Sequence, residues 1–297
     1  MNDELNLKKV SSNALEDYLY CGLLFKYKHV LELPYMPGSI KEAFYYAYKT
    51  ALLKFFHEVG LANKPLRKCI AEAQELFVKK MRFALAAFGK LDLSGEDLVA
   101  KGVLQLNQAH SLFAPQRDVL AAIDLPVTVN YLGVDISYNL DALIVENDSS
   151  SARKFRALAI ADDFSDMALS AKHDNLQFGL MKKTLMDHFS TGKKGQGAFS
   201  EAKVEVIKVS GAKSATSSTH YAPKPESHLN PVVDTAIKGI EHNIILPTAQ
   251  AQKCKNCWFN DICSTKHCST DPVNHAHLKQ KMTAKVTKVA KNASIDK

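Results

Sequence analysis

The 297-residue sequence predicts an α/β or α+β protein with a small mixed sheet. Three observations predict this class. Apolar residues recur at helical spacing through roughly the first 115 residues, and alternating apolar runs typical of strands follow from about residue 118. Helical patterns then separate the later strands, before a cysteine-rich segment and a lysine-rich end.

Two capping signals place the first helices. Ser12 or Asn13 can cap the first helix, which includes Cys21. Ser39 and Glu42 have the spacing of a capping box and begin the second helix, and capping is one sufficient reason for Glu42 to stand there.

The spacing of apolar residues and the positions of proline and turn residues predict the later elements. A third helix begins at Pro65, and a fourth runs from about Gly95 to Phe113. A helix from about Asp174 to His188 and another after Pro223 or Pro231 lie among and after the strands. The predicted strands are Val119–Asp124, Val127–Tyr131, Ile136–Val145, Phe155–Ala161 and Val204–Val209.

Composition excludes several classes of protein. Hydrophobic residues make up 46% and charged residues 23%, so a wholly disordered chain, a collagen-like repeat and a disulfide scaffold are excluded. No apolar run is long enough for a transmembrane helix, and residues 1–9 lack the apolar core of a signal peptide. We therefore expect a cytoplasmic protein without a membrane partner, whose six cysteines do not form three disulfides.

The spacing of four late cysteines predicts a metal or cluster site. Cys254, Cys257, Cys263 and Cys268 fall within 15 residues, and the first two form a C-x2-C pair that can reach one centre from a tight turn. A set of buried free thiols is the plain alternative. Cys69 lies beside a helical apolar stripe and is expected to be a small buried hydrophobic residue.

Two kinds of centre fit these cysteines. A zinc ion could take Cys254, Cys257 and Cys263 with either Cys268 or His267. An iron–sulfur cluster could take the first three together with a distant thiolate, for which Cys21 is the natural candidate. The second arrangement would join the two ends of the domain.

Residues 11–27 read S-S-x5-Y-x2-C-x3-F-x-Y, which resembles the opening of RecB-type and CRISPR-adaptation exonucleases of the PD-(D/E)XK superfamily. The late C-x2-C-x5-C resembles their iron–sulfur ending. The resemblance implies a restriction-endonuclease-like mixed central sheet flanked by helices, with an N-terminal helical region. It implies a single domain over residues 1–278, with a helical insertion at about 60–115 and a cysteine-rich lobe at about 250–270. The ligands it implies for a 4Fe–4S cluster are Cys21, Cys254, Cys257 and Cys263, with zinc as the alternative.

The resemblance also implies an acidic site. Asp141 stands where the family has an aspartate after an alternating strand, and Asp162 stands at the acid of the family's D-x-K motif. Gln177 matches a glutamine of the following helix, and Glu42 falls where the family has a histidine. Asp141 and Asp162 would hold Mg²⁺ or Mn²⁺ through carboxylate oxygens.

Departures from the family pattern predict impaired catalysis. Phe164 replaces the lysine of D-x-K, and a phenyl ring cannot stabilise developing negative charge as an ammonium does. Glu42 replaces the histidine, and Met181 replaces a tyrosine. A lysine from another element, Lys49 or Lys172, could take over the missing role.

The predicted function is that of a DNA-binding, nuclease-like iron–sulfur protein that acts as a binding or scaffolding subunit in DNA processing. Its expected partners are DNA, as single strands or duplex ends, and proteins of a DNA-processing assembly. Two alternatives stay open, namely an active metal-dependent DNA exonuclease of the same family and a zinc-containing interaction protein.

The C-terminal residues 279–297 contain six lysines and one acid, without a large apolar face. This composition predicts a disordered basic tail. Such a tail could add salt-dependent affinity for a phosphate backbone, or could serve only to keep the protein soluble.

Overall fold

A mixed six-stranded sheet with helices packed against it forms the described part of the protein. The computed structural model describes residues 8–36, 39–62, 64–89, 93–108, 118–146, 154–162, 180, 183, 201–209, 217–221, 226–247, 254, 257–263 and 275–295. The predicted mixed α/β class is confirmed at this level. Among the described helices, none is both long and apolar enough to span a membrane.

Two of the strand pairings in the described sheet are parallel and the others are antiparallel. Their bounds are β1 Lys9–Ser11, β2 Asp118–Tyr131, β3 Val134–Glu146, β4 Lys154–Asp162, β5 Glu201–Val209 and β6 Ser217–Tyr221. Strand β3 is central: β2 pairs with it in antiparallel fashion along its length. On the other side of β3, β1 pairs in parallel with its beginning and β4 antiparallel with its end. The parallel pair β4–β5 and the antiparallel pair β5–β6 complete the sheet.

The helices of the described residues are α1 Ser12–Tyr20, α2 Gly22–Phe25, α3 Ile40–Phe56, α4 Leu66–Ala87, α5 Leu93–Asn107, α6 Glu226–Glu241 and α7 His275–Ile295. Short π-helical turns extend α2 and α3, at Lys26–Val30 and His57–Leu61. Side chains of α1 and α6 pack with one set of strand residues, and those of α3, α4 and α5 pack with another. The helices therefore cover both faces of the sheet.

The alternation of side chains between the two faces of the sheet is broken in β3 at Asp141, where the strand rotates about its axis. Residues two apart in a regular strand share a face, yet Leu140 packs with α1 and α6 while Ala142 packs with α3 and α4. The ladder explains the change. Pairing with β4 reaches only to Ala142, and pairing with β2 is interrupted opposite Asp141, where Asp124 has a φ of +46°. Asp141 thus lies at an irregular point between diverging strands.

The capping predictions are partly confirmed. Ser39 caps α3, since its side chain accepts a hydrogen bond from the backbone N–H of Glu42 at 3.2 Å. The first helix is capped by Ser11, one residue earlier than expected. Cys21 does not lie inside that helix but at an extended break between α1 and α2, with φ −166° and ψ 115°. This break fixes the direction in which the thiol leaves the backbone.

Other predicted boundaries shifted. The two strands expected before residue 131 form the single strand β2 with a bulge after Leu120. Helix α6 begins at Glu226 and includes Pro231 in its second turn. Most of the helix expected over 174–188 lies outside the described residues, as do Lys172, Gln177, Phe164 and Cys268.

The C-terminal segment differs from the disordered tail that its composition predicts. Residues 275–295 form α7, and its side chains Leu278 and Met282 are buried. They pack with Trp258 and Phe259 in a third hydrophobic cluster that also contains Tyr27. Burial of this narrow apolar stripe, rather than helix propensity, explains why the segment is ordered.

Candidate functional site

Asp141 is the centre of the first candidate site. It is 1% exposed, and each of its carboxylate oxygens has one contact. Oδ1 lies 2.6 Å from Nζ of Lys49 on α3, and Oδ2 accepts a hydrogen bond of 2.8 Å from the backbone N–H of Ile160 on β4. The side chain therefore replaces the missing ladder bond where β3 and β4 diverge.

The electrostatics of Asp141 reflect its burial. Loss of water raises the pKa of this carboxyl above its ordinary value, since burial penalises the charged form. The ammonium of Lys49 and the N–H of Ile160 act in the opposite direction, while the nearby charge of Asp124 adds to the rise. Lys49 is 25% exposed and thus connects the buried acid with the surface.

One face of α3 carries the polar groups of this region. Glu42, Tyr45, Tyr46 and Lys49 have the spacing i, i+3, i+4 and i+7, which aligns them along one side of the helix. The hydroxyl of Tyr45 donates to the carbonyl oxygen of Ile160 at 2.8 Å. This contact and the Asp141 bond hold the same residue of β4, so α3 is fixed directly over the irregular point.

Glu42 occupies the other end of that face. Its carboxylate accepts a hydrogen bond from the hydroxyl of Tyr35. Burial first, and then the charge of Glu42, raise the pKa of Tyr35 well above the ordinary value for tyrosine. This phenol therefore stays protonated and acts as a neutral hydrogen-bonding group.

The cysteines form the second candidate site. Cys257 has a raised pKa, caused first by burial and further by the negative charges of Cys21, Cys263 and Cys254. Burial, followed by Cys257, Cys21 and Cys254, also raises the pKa of Tyr20 to about 12. The early cysteine and the late ones therefore contribute to the electrostatic environment of the same two groups, Cys257 and Tyr20.

Backbone contacts bring the two ends of the chain together beside Cys21. The N–H of Gly22 donates to the carbonyl oxygen of Leu246 at 2.8 Å, and the hydroxyl of Tyr18 donates to that of Ile244 at 2.7 Å. A Cβ on Gly22 would stand 2.7 Å from the Leu246 oxygen, so only glycine permits this approach. The segment Ile244–Leu246, which follows α6, is therefore held against the break at Cys21.

The third hydrophobic cluster packs against Cys257. The ring N–H of Trp258 donates to the carbonyl oxygen of Pro34 at 3.0 Å, and the ring faces Nζ of Lys285 at 4.2 Å. The same ammonium contacts the carbonyl oxygen of Trp258 at 2.7 Å and Oδ1 of Asp261 at 2.8 Å. Through Lys285, helix α7 thus holds the turn at 258–262 in place beside Cys257.

The described thiols bear on both predicted centres. The five cysteines in the described residues are all free thiols. A single zinc ion needs its ligands within about 2.3 Å of one point, and no three His, Cys, Asp or Glu side chains in the described ranges are grouped closely enough to hold one ion. A 4Fe–4S cluster binds each thiolate at a different iron atom. Both the cluster and the zinc ion stay predictions, since Cys268 and His267 lie outside the described residues.

The remaining site predictions have mixed outcomes. Asp162 is the last residue of β4, and its side chain lies outside the described residues, so a cation shared with Asp141 stays a prediction. Gln177 lies outside them as well. Cys69 of α4 is buried in the core that this helix forms with α3, as expected. The bond from Tyr45 to β4 was not predicted, because the spacing from Lys49 places the two side chains on one face of α3 without indicating which strand they contact.

Comparisons with known proteins give little further information. No family model matches the sequence, and no curated protein matches it. The crystal structure of a protein designated SSO0001 is similar over 64% of this chain and 85% of that chain, with 15% sequence identity and a TM-score of 0.32. A likeness at this level carries no conclusion about function.

Proposed function

We propose that this protein binds DNA through a nuclease-like fold of the PD-(D/E)XK type, that it carries an iron–sulfur cluster, and that its hydrolytic centre is impaired. It serves as a binding or scaffolding subunit in DNA processing. The observation that carries the impaired centre is the state of Asp141, whose two oxygens are occupied by Lys49 and by a backbone N–H.

A divalent cation at this acid would have to compete with a fixed ammonium. Hydrolysis of a phosphodiester by these enzymes needs metal-bound water and a neutralised phosphate. Nζ of Lys49 lies 2.6 Å from Asp141 and balances its charge, and the carboxylate itself has almost no solvent contact. Together with Phe164 at the lysine position and Glu42 at the histidine position, this supports retention of the fold without efficient cleavage.

The cluster would be held by Cys21, Cys254, Cys257 and Cys263. Bound there, it supplies a covalent link between the start and the end of the domain, and the energy of binding becomes folding energy. The protein's own residues prepare this link, since Gly22, Tyr18 and Trp258 each bond across the same junction.

A second candidate is an active DNA exonuclease in which Lys49 replaces the family's lysine. The observation that favours it is the same 2.6 Å contact, because it places an ammonium beside the predicted catalytic acid. In that case Lys49 would orient the attacking water and stabilise charge in the transition state.

Incubation of the protein with end-labelled single-stranded DNA and Mn²⁺ separates the two. We expect binding without cleavage, and equal binding by the Lys49→Met and Asp162→Ala variants. Cleavage by the native protein that both substitutions abolish, and that Lys54→Met on the same helix leaves intact, would establish the exonuclease instead. Absence of DNA binding would refute both.

A further inference from the structure

A groove runs between α3, α4 and α7, and Tyr46 of α3 lines it. Its volume is about 890 Å³, close to the upper end of the range for enclosed ligand sites. Small side chains such as Ala43, Ala47 and Ala84 form its floor, which leaves the space open.

The rim of the groove is positively charged. Lys79, Lys80 and Arg82 of α4 line it, and no carboxylate is present among the described residues that do so. Arg82 has an exposed partner in Glu96, at 3.4 Å. Within the described part of the chain, Lys79 and Lys80 form no ion pair, so their charges are available to an anionic ligand.

Aromatic rings are presented inside the same groove. Tyr46 and Phe83 are each 45% exposed, which is a large fraction for side chains of this size. Phe88 and Trp258 also contribute to the lining. Exposed rings between cations form the arrangement that stacks nucleobases while the phosphates are neutralised.

We infer that this groove binds single-stranded DNA, with bases stacked on Tyr46 and Phe83 and phosphates beside Lys79 and Lys80. The inference rests on the proposed function and names its binding surface and preferred strand. A duplex would keep its base faces buried and leave both rings without partners, so a single strand fits better. The volume accommodates on the order of two nucleotides.

The position of Tyr46 connects the groove with the acidic site. Tyr46 lies one turn after Glu42 and one turn before Lys49 on α3, and Lys49 contacts Asp141. The α3 residues that line the groove, Ala43, Tyr46, Ala47 and Thr50, form the stripe next to this polar face, so a strand held in the groove would lie beside it.

The test is fluorescence anisotropy with a labelled oligothymidine and with a hairpin duplex, at several salt concentrations. We expect Phe83→Ala to weaken single-strand binding about tenfold and duplex binding much less. The double variant Lys79→Ala/Lys80→Ala should reduce the slope of log affinity against log salt by about 1.4, since each phosphate contact contributes about 0.7 for single strands.

Matched controls lie on neighbouring surfaces. Leu104 is an exposed apolar residue of α5, and Lys68, which is exposed, and Lys101, which is half-buried, are lysines outside the groove. Leu104→Ala and the double variant Lys68→Ala/Lys101→Ala should leave binding unchanged. Native protein that binds DNA equally well after the groove substitutions, or that prefers duplex, would overturn the groove assignment alone. Failure of native protein to bind either DNA would overturn the proposed function as well.

Discussion

Replacing Lys49 by methionine removes the cation that balances the buried carboxylate of Asp141. Methionine keeps the length and apolar stem of the side chain, so the loss is mainly that of the ammonium 2.6 Å from Oδ1. Breaking a buried ion pair from one side costs about 3–5 kcal/mol. Because Lys49 is 25% exposed, we expect the lower end, about 3 kcal/mol at pH 8.

The cost depends on pH in a defined direction. Burial already raises the pKa of Asp141, and removal of Lys49 raises it further. The folded variant then keeps a proton that the unfolded chain loses above about pH 4. Its stability is greatest below that pH and falls as the pH rises, by up to about 1.4 kcal/mol per unit relative to native protein. At pH 5 we therefore expect the free energy of unfolding of Lys49→Met to be about 1.5 kcal/mol below that of the native protein.

Urea denaturation at pH 5, 6, 7 and 8 measures this difference. Lys54→Met is the matched control, since Lys54 lies on the same helix and its Nζ is 3.9 Å from Oε2 of Glu72, a longer contact than that of Lys49 with the buried Asp141. It should change the free energy of unfolding by less than about 1 kcal/mol at every pH. The double variant Lys49→Met/Asp141→Asn should regain much of the loss, because the buried charge is gone. A loss in Lys49→Met that is small, or that does not vary with pH, would refute the reasoning.

Three further predictions concern the cysteine region. Cys21→Ser should remove the brown colour and bound iron of anaerobically purified protein, while Cys69→Ala keeps both; colourless native protein with one zinc ion would contradict the cluster. Gly22→Ala should lower the melting temperature and the iron content together, because its Cβ would stand 2.7 Å from the Leu246 oxygen; native values would disprove the close approach. Met282→Ala should cost about 2–5 kcal/mol in chemical denaturation, since the side chain is fully buried; no loss would return α7 to a dispensable tail.

The sequence predicts the elements of the fold better than their contacts. Ser39 caps α3 as expected, because a capping signal is local and its partner lies three residues away. The resemblance to the nuclease family singles out Asp141, whereas the pairing of this residue with Lys49 depends on how α3 crosses the sheet. Only the rotation of β3 at Asp141 directs the carboxylate toward α3, and no local pattern encodes that irregularity.

The C-terminal helix shows a different limit of sequence reasoning. Its lysines suggested disorder, although Leu278, Met282, Val286 and Val289 have helical spacing. A stripe this narrow becomes stable only when a complementary surface exists, and here that surface is formed by Trp258 and the segment after α2. Charge content alone therefore misjudged a segment whose order depends on tertiary burial.

The junction between the chain ends also determines the order of events during synthesis. The hydroxyl of Tyr27 bonds to the carbonyl of Ile262, 235 residues later. At about 5–20 residues per second, a ribosome needs roughly ten to fifty seconds to produce that interval. Throughout this time Tyr27 and the adjacent apolar residues lack their partners, so the nascent chain presents them to chaperones, and closure of the domain is a late, non-local step.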